Sequence, residues 1–267
     1  MVSAIETVIS SIQNQWIMLA QRDDISLSQE DVISMLSMFR SILYPQKPDE
    51  KKDISSSILD LNDLLINLLK DLTADQEAAA ARIIQQIPDL ILALNKDVEA
   101  IYAGDPSAKS RKEIILCYPG FQAVFGYRIA NLFYRMNVPL LPRMISEYYH
   151  SITGIDIHPG ASIGNYFCID HGTGIVIGET ATIGDRVRIY HGVTLGVKNF
   201  RKDEQGNLLK GYKRHPDVGN DVVIYANATV MGNITLGDRC IIGANAVVTR
   251  NVGNDELVKF EREEIKE

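Results

Sequence analysis

The chain has 267 residues, a formal net charge of -7 and 46% hydrophobic residues. This length and composition suit one or two soluble globular domains, each with its own core. The acidic balance argues against a nucleic-acid partner and provides no basic patch for a membrane surface, so neither is expected.

Export and membrane insertion are not expected either. The first ten residues lack the basic start and apolar stretch of a signal peptide, and no apolar run approaches the ~20 residues that span a bilayer. The three cysteines, Cys117, Cys168 and Cys240, are odd in number and form no CxxC pair, so neither a disulfide framework nor a zinc knot is indicated. The sequence therefore predicts a cytoplasmic protein.

The first half of the chain has helical periodicity. Apolar residues recur every three or four positions in three stretches, which is the stripe that a helix buries on one side. The stretches begin at Val32, Ile58 and Ile84. Ser28 with Asp31 resembles an N-cap pair, and Thr73 with Gln76 fits a capping box. Pro88 is expected to kink the third helix or to begin a new one.

Two further helices are expected at about 111–136 and 139–151. We therefore interpret residues 1–153 as a helical domain that packs and assembles.

After Gly154 the apolar period changes to six, which neither a helix nor ordinary strand alternation sustains. Fourteen aliphatic residues keep this spacing within three series, of which the second is displaced by two residues from the first. The first series is Ile157, Ile163, Ile169 and Ile175, the second is Ile177, Ile183, Ile189 and Leu195, and the third is Val218, Ile224, Val230, Leu236, Ile242 and Val248. Three hexapeptides make one triangular coil, so the sequence predicts an α+β protein whose residues 154–252 form a parallel β-helix. A polar, glycine-punctuated segment, 197–217, is expected to loop out, and residues 253–267 form a tail.

Histidines and carboxylates are the candidate catalytic groups. On a coil of eighteen residues His171 stacks over Thr153, which brings Asp156 close to the same corner. His191 then stacks one coil above His171 and is a rival base. For His150, His158 and His191 a structural role is favoured. For His171, with carboxylates beside it, function is the better interpretation.

The motifs DIHPGASIG, IDHGTGIVIGET, YHGVTLG and RHPDVG, in this order, resemble the serine O-acetyltransferase family. The resemblance implies a left-handed β-helix and transfer of an acetyl group from acetyl-CoA to the hydroxyl of L-serine, with no metal. It implies that His171 is the general base and that Asp156 orients it. It also implies that Asp105, Asp170, Arg214 and His215 bind serine. Matching positions for coenzyme A contacts are Gly196, Ala226 and Ala244.

The same resemblance implies a trimer or a dimer of trimers, a serine pocket between subunits, and feedback inhibition by L-cysteine. Many members of the family insert a C-terminal isoleucine into O-acetylserine sulfhydrylase. Here the last residue is Glu267, and Leu257, Phe260 and Glu264 have the spacing of a surface helix. No complex of the tail-insertion type is therefore expected.

Three other functions are compatible with a β-helix of this kind. The β-helix carbonic anhydrases need two zinc-binding histidines separated by four residues, and no pair here has that spacing. A β-helix acyltransferase with another hydroxyl acceptor, or a non-catalytic oligomeric scaffold, remains the alternative.

Overall fold

The computed structural model describes residues 5–6, 8–13, 27–45 and 54–260, and the chain forms two compact units, 1–84 and 85–267. The predicted boundary at residue 153 follows the change from helix to β-helix. The boundary between the units lies earlier, because the helices after Ile84 belong to the same unit as the β-helix. None of the helices in the described ranges is both long and apolar enough to cross a membrane.

The first unit contains three bounded helices: α1 (Gln29–Leu43), α2 (Ile54–Leu69) and α3 (Gln76–Gln85). The predicted stripe of α1 is buried, and the Ser28 side chain accepts a hydrogen bond from the Asp31 N–H, so the predicted N-cap is confirmed. The predicted capping box at Thr73 is wrong. Asp75 caps α3 instead by accepting from the Ala78 N–H at 2.9 Å, while Thr73 Oγ1 donates back to the Leu69 carbonyl.

The second unit begins with four helices: α4 (Ile87–Gly104), α5 (Arg111–Cys117), α6 (Pro119–Arg135) and α7 (Leu141–Thr153). Pro88 lies in the first turn of α4, as predicted. The single helix predicted over 111–136 is divided in two at Tyr118. The cause is Pro119, which disfavours helical backbone in the preceding residue and is well tolerated at a helix start.

The β-helix has three faces of parallel strands. Face 1 contains β1 (Asp156–Ile157), β4 (Val176–Ile177), β7 (Thr194–Gly196), β10 (Thr229–Met231) and β13 (Val247–Val248). Face 2 contains β2 (Ser162–Ile163), β5 (Thr182–Ile183), β8 (Asp217–Val218) and β11 (Thr235–Leu236). Face 3 contains β3 (Cys168–Asp170), β6 (Arg188–Tyr190), β9 (Val223–Ile224), β12 (Ile241–Ile242) and β14 (Leu257–Val258). All fourteen predicted aliphatic residues are buried, so the predicted β-helix is confirmed.

The coils are not all eighteen residues long. Ile157 pairs with Ile177, twenty residues later, whereas Ile177 pairs with Leu195, eighteen residues later. The partner of Thr153 is therefore close to Thr173, and His171 does not stack over Thr153 as predicted. The two additional residues lie in the corner after His171, where their effect on the site is described below.

A buried ion pair fixes α4 and α6 against the first coil. Arg128 donates to both carboxylate oxygens of Asp97, at 2.7 and 2.9 Å, and to the Ile163 and Gly164 carbonyls. The same carboxylate accepts from the Phe167 N–H, so both members of this buried ion pair are also hydrogen-bonded to the backbone. The end of α4 is thereby held beside the β-helix.

The segment before β8 loops out as predicted, and within it Lys202 and Leu208 form an isolated antiparallel bridge. The predicted surface helix at Leu257 is wrong. Leu257 and Val258 form β14, which pairs with Ile241 and Ile242, so the β-helix extends past residue 252. Residues 261–267, including Glu264 and Glu267, lie outside the described part of the chain.

Candidate active site

One cluster of candidate residues lies where face 3 turns into face 1, and we call it the histidine corner: Asp105, Asp170, His171 and His191. Asp170 ends β3, and His171 follows it in the turn. His171 Nε2 is 3.9 Å from Asp170 Oδ1, and the side chain of His171 is 77% exposed. A carboxylate beside an accessible imidazole is the arrangement that a general base requires.

The exposure of His171 follows from the two additional residues in its coil. His171 has a φ of 57°, and Gly172 and Gly174 have φ values of 100° and 82°. These left-handed conformations suit glycine and are uncommon for a histidine. The corresponding turn of the next coil, at His191, is shorter, and there only Gly192 has a positive φ. The longer turn therefore lifts His171 out of the surface.

Asp105 reaches the histidine corner from the end of α4. Arg188 Nη1 donates to the Gly104 carbonyl at 2.7 Å and passes so close to Gly104 that a Cβ there would overlap the guanidinium. Asp105 Oδ1 accepts from Ser107 N and Oγ, and Oδ2 accepts from the Tyr118 hydroxyl at 2.7 Å. The hydrogen bonds from Ser107 and then Tyr118 hold the pKa of the Asp105 carboxyl below its usual value, with a smaller contribution from His171.

A second cluster lies where face 1 turns into face 2, and we call it the arginine corner: His158, Glu179, Thr180, Arg214 and His215. Arg214 Nη2 donates to Glu179 Oε2, and Arg214 Nη1 donates to the Tyr212 carbonyl at 3.3 Å. Burial alone would raise the pKa of Glu179, but the hydrogen bond and charge of Arg214 outweigh it, so the pKa lies below its usual value. The guanidinium is therefore held in place, with donors remaining for an anion.

His215 is only 5% exposed and is fixed by Thr180. Its Nδ1 accepts from the Thr180 N–H at 3.1 Å and lies 2.9 Å from Thr180 Oγ1. Burial, together with the charge of Arg214, lowers the pKa of His215 to about 4, so the ring is neutral at physiological pH. Gly178 makes room for it, because a Cβ there would be 2.0 Å from the ring.

Asp156 lies on face 1, between the two corners, and is not joined to His171. It pairs with Val176, five residues beyond His171 along the coil, and its charge acts on His158. No hydrogen bond or ion pair within the described ranges joins Asp156 to His171. His158 Nδ1 accepts from the Gly160 N–H at 3.0 Å, and burial lowers the pKa of His158. The expected meeting of Asp156 with His171 therefore does not occur within one chain.

The three predicted coenzyme A positions divide between the two corners. Gly196 ends β7 on the side of the arginine corner, next to the looped segment. The strand register continues from His171 to His191 and then to Ala226 and Ala244, so the last two belong to the column of the histidine corner. The predicted residues thus form two groups at opposite edges of face 1.

The sequence analysis missed the residues that hold these groups in position. Ser107 and Tyr118 fix Asp105, and Glu179 and Thr180 fix Arg214 and His215. Two sequence features point to these residues. Asp105-Pro106-Ser107 is typical of a turn, and Glu179-Thr180 lies inside the IDHGTGIVIGET motif. Across the described ranges, no group of three or more His, Cys, Asp or Glu side chains is arranged to hold a metal ion.

Comparison with known proteins adds independent findings. The family model described as "Bacterial transferase hexapeptide (six repeats)" matches residues 215–250. The chain is 55% identical over 168 residues to the plasmid serine acetyltransferase of Synechococcus elongatus, covering 63% of this chain and 53% of that protein. It is 47% identical over 158 residues to the serine acetyltransferase of Helicobacter pylori, covering 59% of this chain and 87% of that protein.

A solved structure is similar over almost the whole chain. It is serine acetyltransferase 1 of Entamoeba histolytica in complex with L-cysteine, with a TM-score of 0.75 and 38% identity. The alignment covers 96% of this chain and 99% of that one, so the helices as well as the β-helix have counterparts there.

Proposed function

Because this chain belongs to the serine acetyltransferase family, we propose that it transfers the acetyl group of acetyl-CoA to the hydroxyl of L-serine. The products are O-acetyl-L-serine and coenzyme A, in the first step of cysteine biosynthesis. The observation that carries the proposal is the exposed imidazole of His171, which lies 3.9 Å from the carboxylate of Asp170 and whose charge acts on that of Asp105. The reaction is proposed to take place in the cytoplasm.

The proposed chemistry begins with proton transfer. His171 takes the hydroxyl proton of serine as the oxygen attacks the thioester carbon, because an unassisted hydroxyl is a poor nucleophile. The carbon–sulfur bond then breaks, and the imidazolium returns the proton to the leaving thiolate. Asp105 and Asp170 bind the serine ammonium, and Arg214 with His215 binds its carboxylate. The lowered pKa of Asp105 suits a permanent anion facing an ammonium group.

Serine binding of this kind requires two chains. The corners lie at opposite edges of face 1, on the order of 15–20 Å apart at ~3.3 Å per strand residue. Serine is only a few ångströms long, so its ammonium and carboxylate cannot reach both corners of one chain. We therefore propose a homotrimer in which the histidine corner of one subunit meets the arginine corner of the next. Asp156 of the neighbouring subunit then orients His171.

Two features support this assembly. The outer surface of face 1 carries exposed valines, Val176 and Val247, between the two corners. The predicted coenzyme A positions also divide between the corners, with Gly196 on one and Ala226 and Ala244 on the other. We propose that the acyl donor lies in the same subunit interface, and that the helical domain, 1–153, joins trimers into a dimer of trimers.

Feedback inhibition by L-cysteine is proposed for the same pocket. The Entamoeba histolytica relative was solved with L-cysteine bound. Cysteine has the zwitterion that the two corners would hold, and its thiol replaces the hydroxyl beside His171 at little cost in volume. Inhibition should be competitive with L-serine, whereas inhibition that rising serine does not relieve would indicate a separate regulatory site.

The activity is tested by thiol release from acetyl-CoA in the presence of L-serine, L-homoserine or a panel of sugars. We expect release with L-serine at a rate well above that of the other acceptors. Release with another hydroxyl compound but not with serine would support a different acyltransferase. No release with any acceptor, from a well-folded oligomer, would support the scaffold alternative.

A further inference from the structure

The packing of α4 on the β-helix is interrupted along its last two turns. A cavity of about 360 Å³ lies there between the helix and face 3, and its lining includes Ala100 and Ala103 from the helix and Cys168 and Arg188 from the strands. Alanine side chains are too short to fill a space of this size. The apolar contact that usually fixes a helix on a sheet is therefore missing just before Asp105.

The buried ion pair of Asp97 with Arg128 fixes α4 further back along the helix. From Asp97 to Gly104 the helix rises about 10 Å, at 1.5 Å per residue. The carbonyls of the last turn have no partners within the helix itself. The position of this last turn relative to face 3 therefore depends on a further contact with the β-helix.

Arg188 provides such a contact. It lies in β6 beside Cys168 of β3, and its neighbour Ile189 is buried, so the Arg188 side chain is on the outer surface of face 3. Its Nη1 donates to the Gly104 carbonyl at 2.7 Å. A cation at the carboxyl end of a helix is also favoured by the helix dipole. Arg188 thus caps α4 and ties it to face 3 with the same hydrogen bond.

Gly104 is the residue that admits this contact. The guanidinium of Arg188 lies so close to its backbone that a Cβ at this position would overlap it. Glycine is a poorer helix former than alanine, and the room that it leaves for the arginine accounts for its place in the last turn of α4.

We propose that Arg188 is a positioning residue for serine binding, which holds Asp105 at the histidine corner by fixing the Gly104 carbonyl. This inference rests on the proposed function, in which Asp105 binds the serine ammonium. Tyr118 orients the Asp105 carboxylate through its hydrogen bond to Oδ2, whereas Arg188 fixes the backbone that precedes it. The two contacts together determine where the negative charge lies relative to His171.

The test is steady-state acetylation of L-serine by the wild-type oligomer, Arg188→Met, Gly104→Ala and the double variant. Methionine keeps an unbranched side chain but has no donor. With the Gly104 carbonyl released, the KM for L-serine should rise about 10-fold in Arg188→Met. The kcat and the KM for acetyl-CoA should change little, because the ammonium is bound both before and during the reaction.

Gly104→Ala should remove the same contact from its other side. The added Cβ displaces the flexible end of Arg188, so the KM for L-serine should rise as in Arg188→Met. The Tm should not fall, because alanine favours the helix. Since both substitutions remove one contact, the double variant should resemble either single variant, whereas independent effects would multiply to about 100-fold.

Arg186→Met is the matched control. Arg186 lines the same cavity but forms its ion pair with Asp221, so its loss should leave both KM values unchanged. Amide hydrogen exchange gives a readout that does not depend on activity. The amides from Ala103 to Ser107 should exchange faster in Arg188→Met and Gly104→Ala than in the wild type or the control.

Three results would overturn the inference. These are a wild-type KM for L-serine in Arg188→Met, an equal rise in Arg186→Met, or multiplied losses in the double variant. Failure of the wild type to acetylate serine would instead refute the proposed function, and with it the role of Arg188 in serine binding, whatever the exchange experiment shows.

Discussion

The two corners of face 1 are built in opposite ways. At the histidine corner a longer turn with left-handed backbone exposes His171, and Asp170 Oδ1 lies 3.9 Å from its ring nitrogen. At the arginine corner the corresponding groups are enclosed, with Arg214 paired to Glu179 and His215 fixed by Thr180. We infer that the histidine corner supplies the reactive group and that the arginine corner supplies a preformed binding site for the substrate carboxylate. In the proposed mechanism each corner is incomplete without the other.

The largest effect should come from removing the reactive group. His171→Ala is expected to lower kcat by roughly 10²–10⁴-fold, the usual loss for a general base. Assembly should be unaffected, because the His171 side chain is mostly exposed and fills no core. The measurement is steady-state acetylation together with light scattering. Near-full turnover in this variant would mean that another residue is the base.

The next largest effect should come from weakening the binding of the serine carboxylate at the arginine corner. A hydrogen bond to a charged group contributes ~1.5–3 kcal/mol, so Arg214→Ala should raise the KM for L-serine roughly 10- to 100-fold. The KM for acetyl-CoA should change less. Arg186→Ala is the matched control, because Arg186 makes a similar ion pair with Asp221 away from both corners. Equal effects of the two substitutions would contradict the assignment of Arg214.

The smallest effect should come from disturbing the packing that holds His215 at the arginine corner. An added Cβ at Gly178 would be 2.0 Å from the His215 ring, so Gly178→Ala must displace the ring or the strand end. Overpacking of this kind costs ~1–3 kcal/mol, or several degrees of Tm. Gly253→Ala is the control, since among the described residues the nearest atom to a Cβ there is Glu256 Oε2, in ordinary contact at 3.5 Å. Equal Tm values for the two variants would show that His215 is not tightly held.

The repetitive parts of the molecule could be predicted from the sequence. A period of six repeated by fourteen aliphatic residues defines a β-helix because each coil buries the same positions. Single local events were not predicted. Pro119 divides a helix, and the interruption brings the Tyr118 hydroxyl to Asp105. The spacing of Leu257 and Phe260 resembles that of a helix, but Leu257 and Val258 form the last strand of face 3.

The candidate site was predicted as a set of residues but not as an arrangement. A constant coil of eighteen residues brought Asp156 close to His171, whereas the first coil has twenty. Those two residues both expose His171 and separate it from Asp156. The two residues show in the sequence as the shift of the apolar series from Ile175 to Ile177, but the period gives neither the left-handed turn that they form nor the position of Asp156 relative to it.

The claim that one site needs two chains is tested most directly by mixing two impaired variants. His171→Ala and Arg214→Ala are co-expressed, and the mixed oligomers are purified and assayed with L-serine and acetyl-CoA below the KM of the Arg214 variant. In random trimers about one quarter of the interfaces combine an intact histidine corner with an intact arginine corner, so about a quarter of wild-type activity should return. The double variant should stay inactive. If the mixed oligomers are no more active than the average of the two parents, the site lies within one chain and the account is wrong.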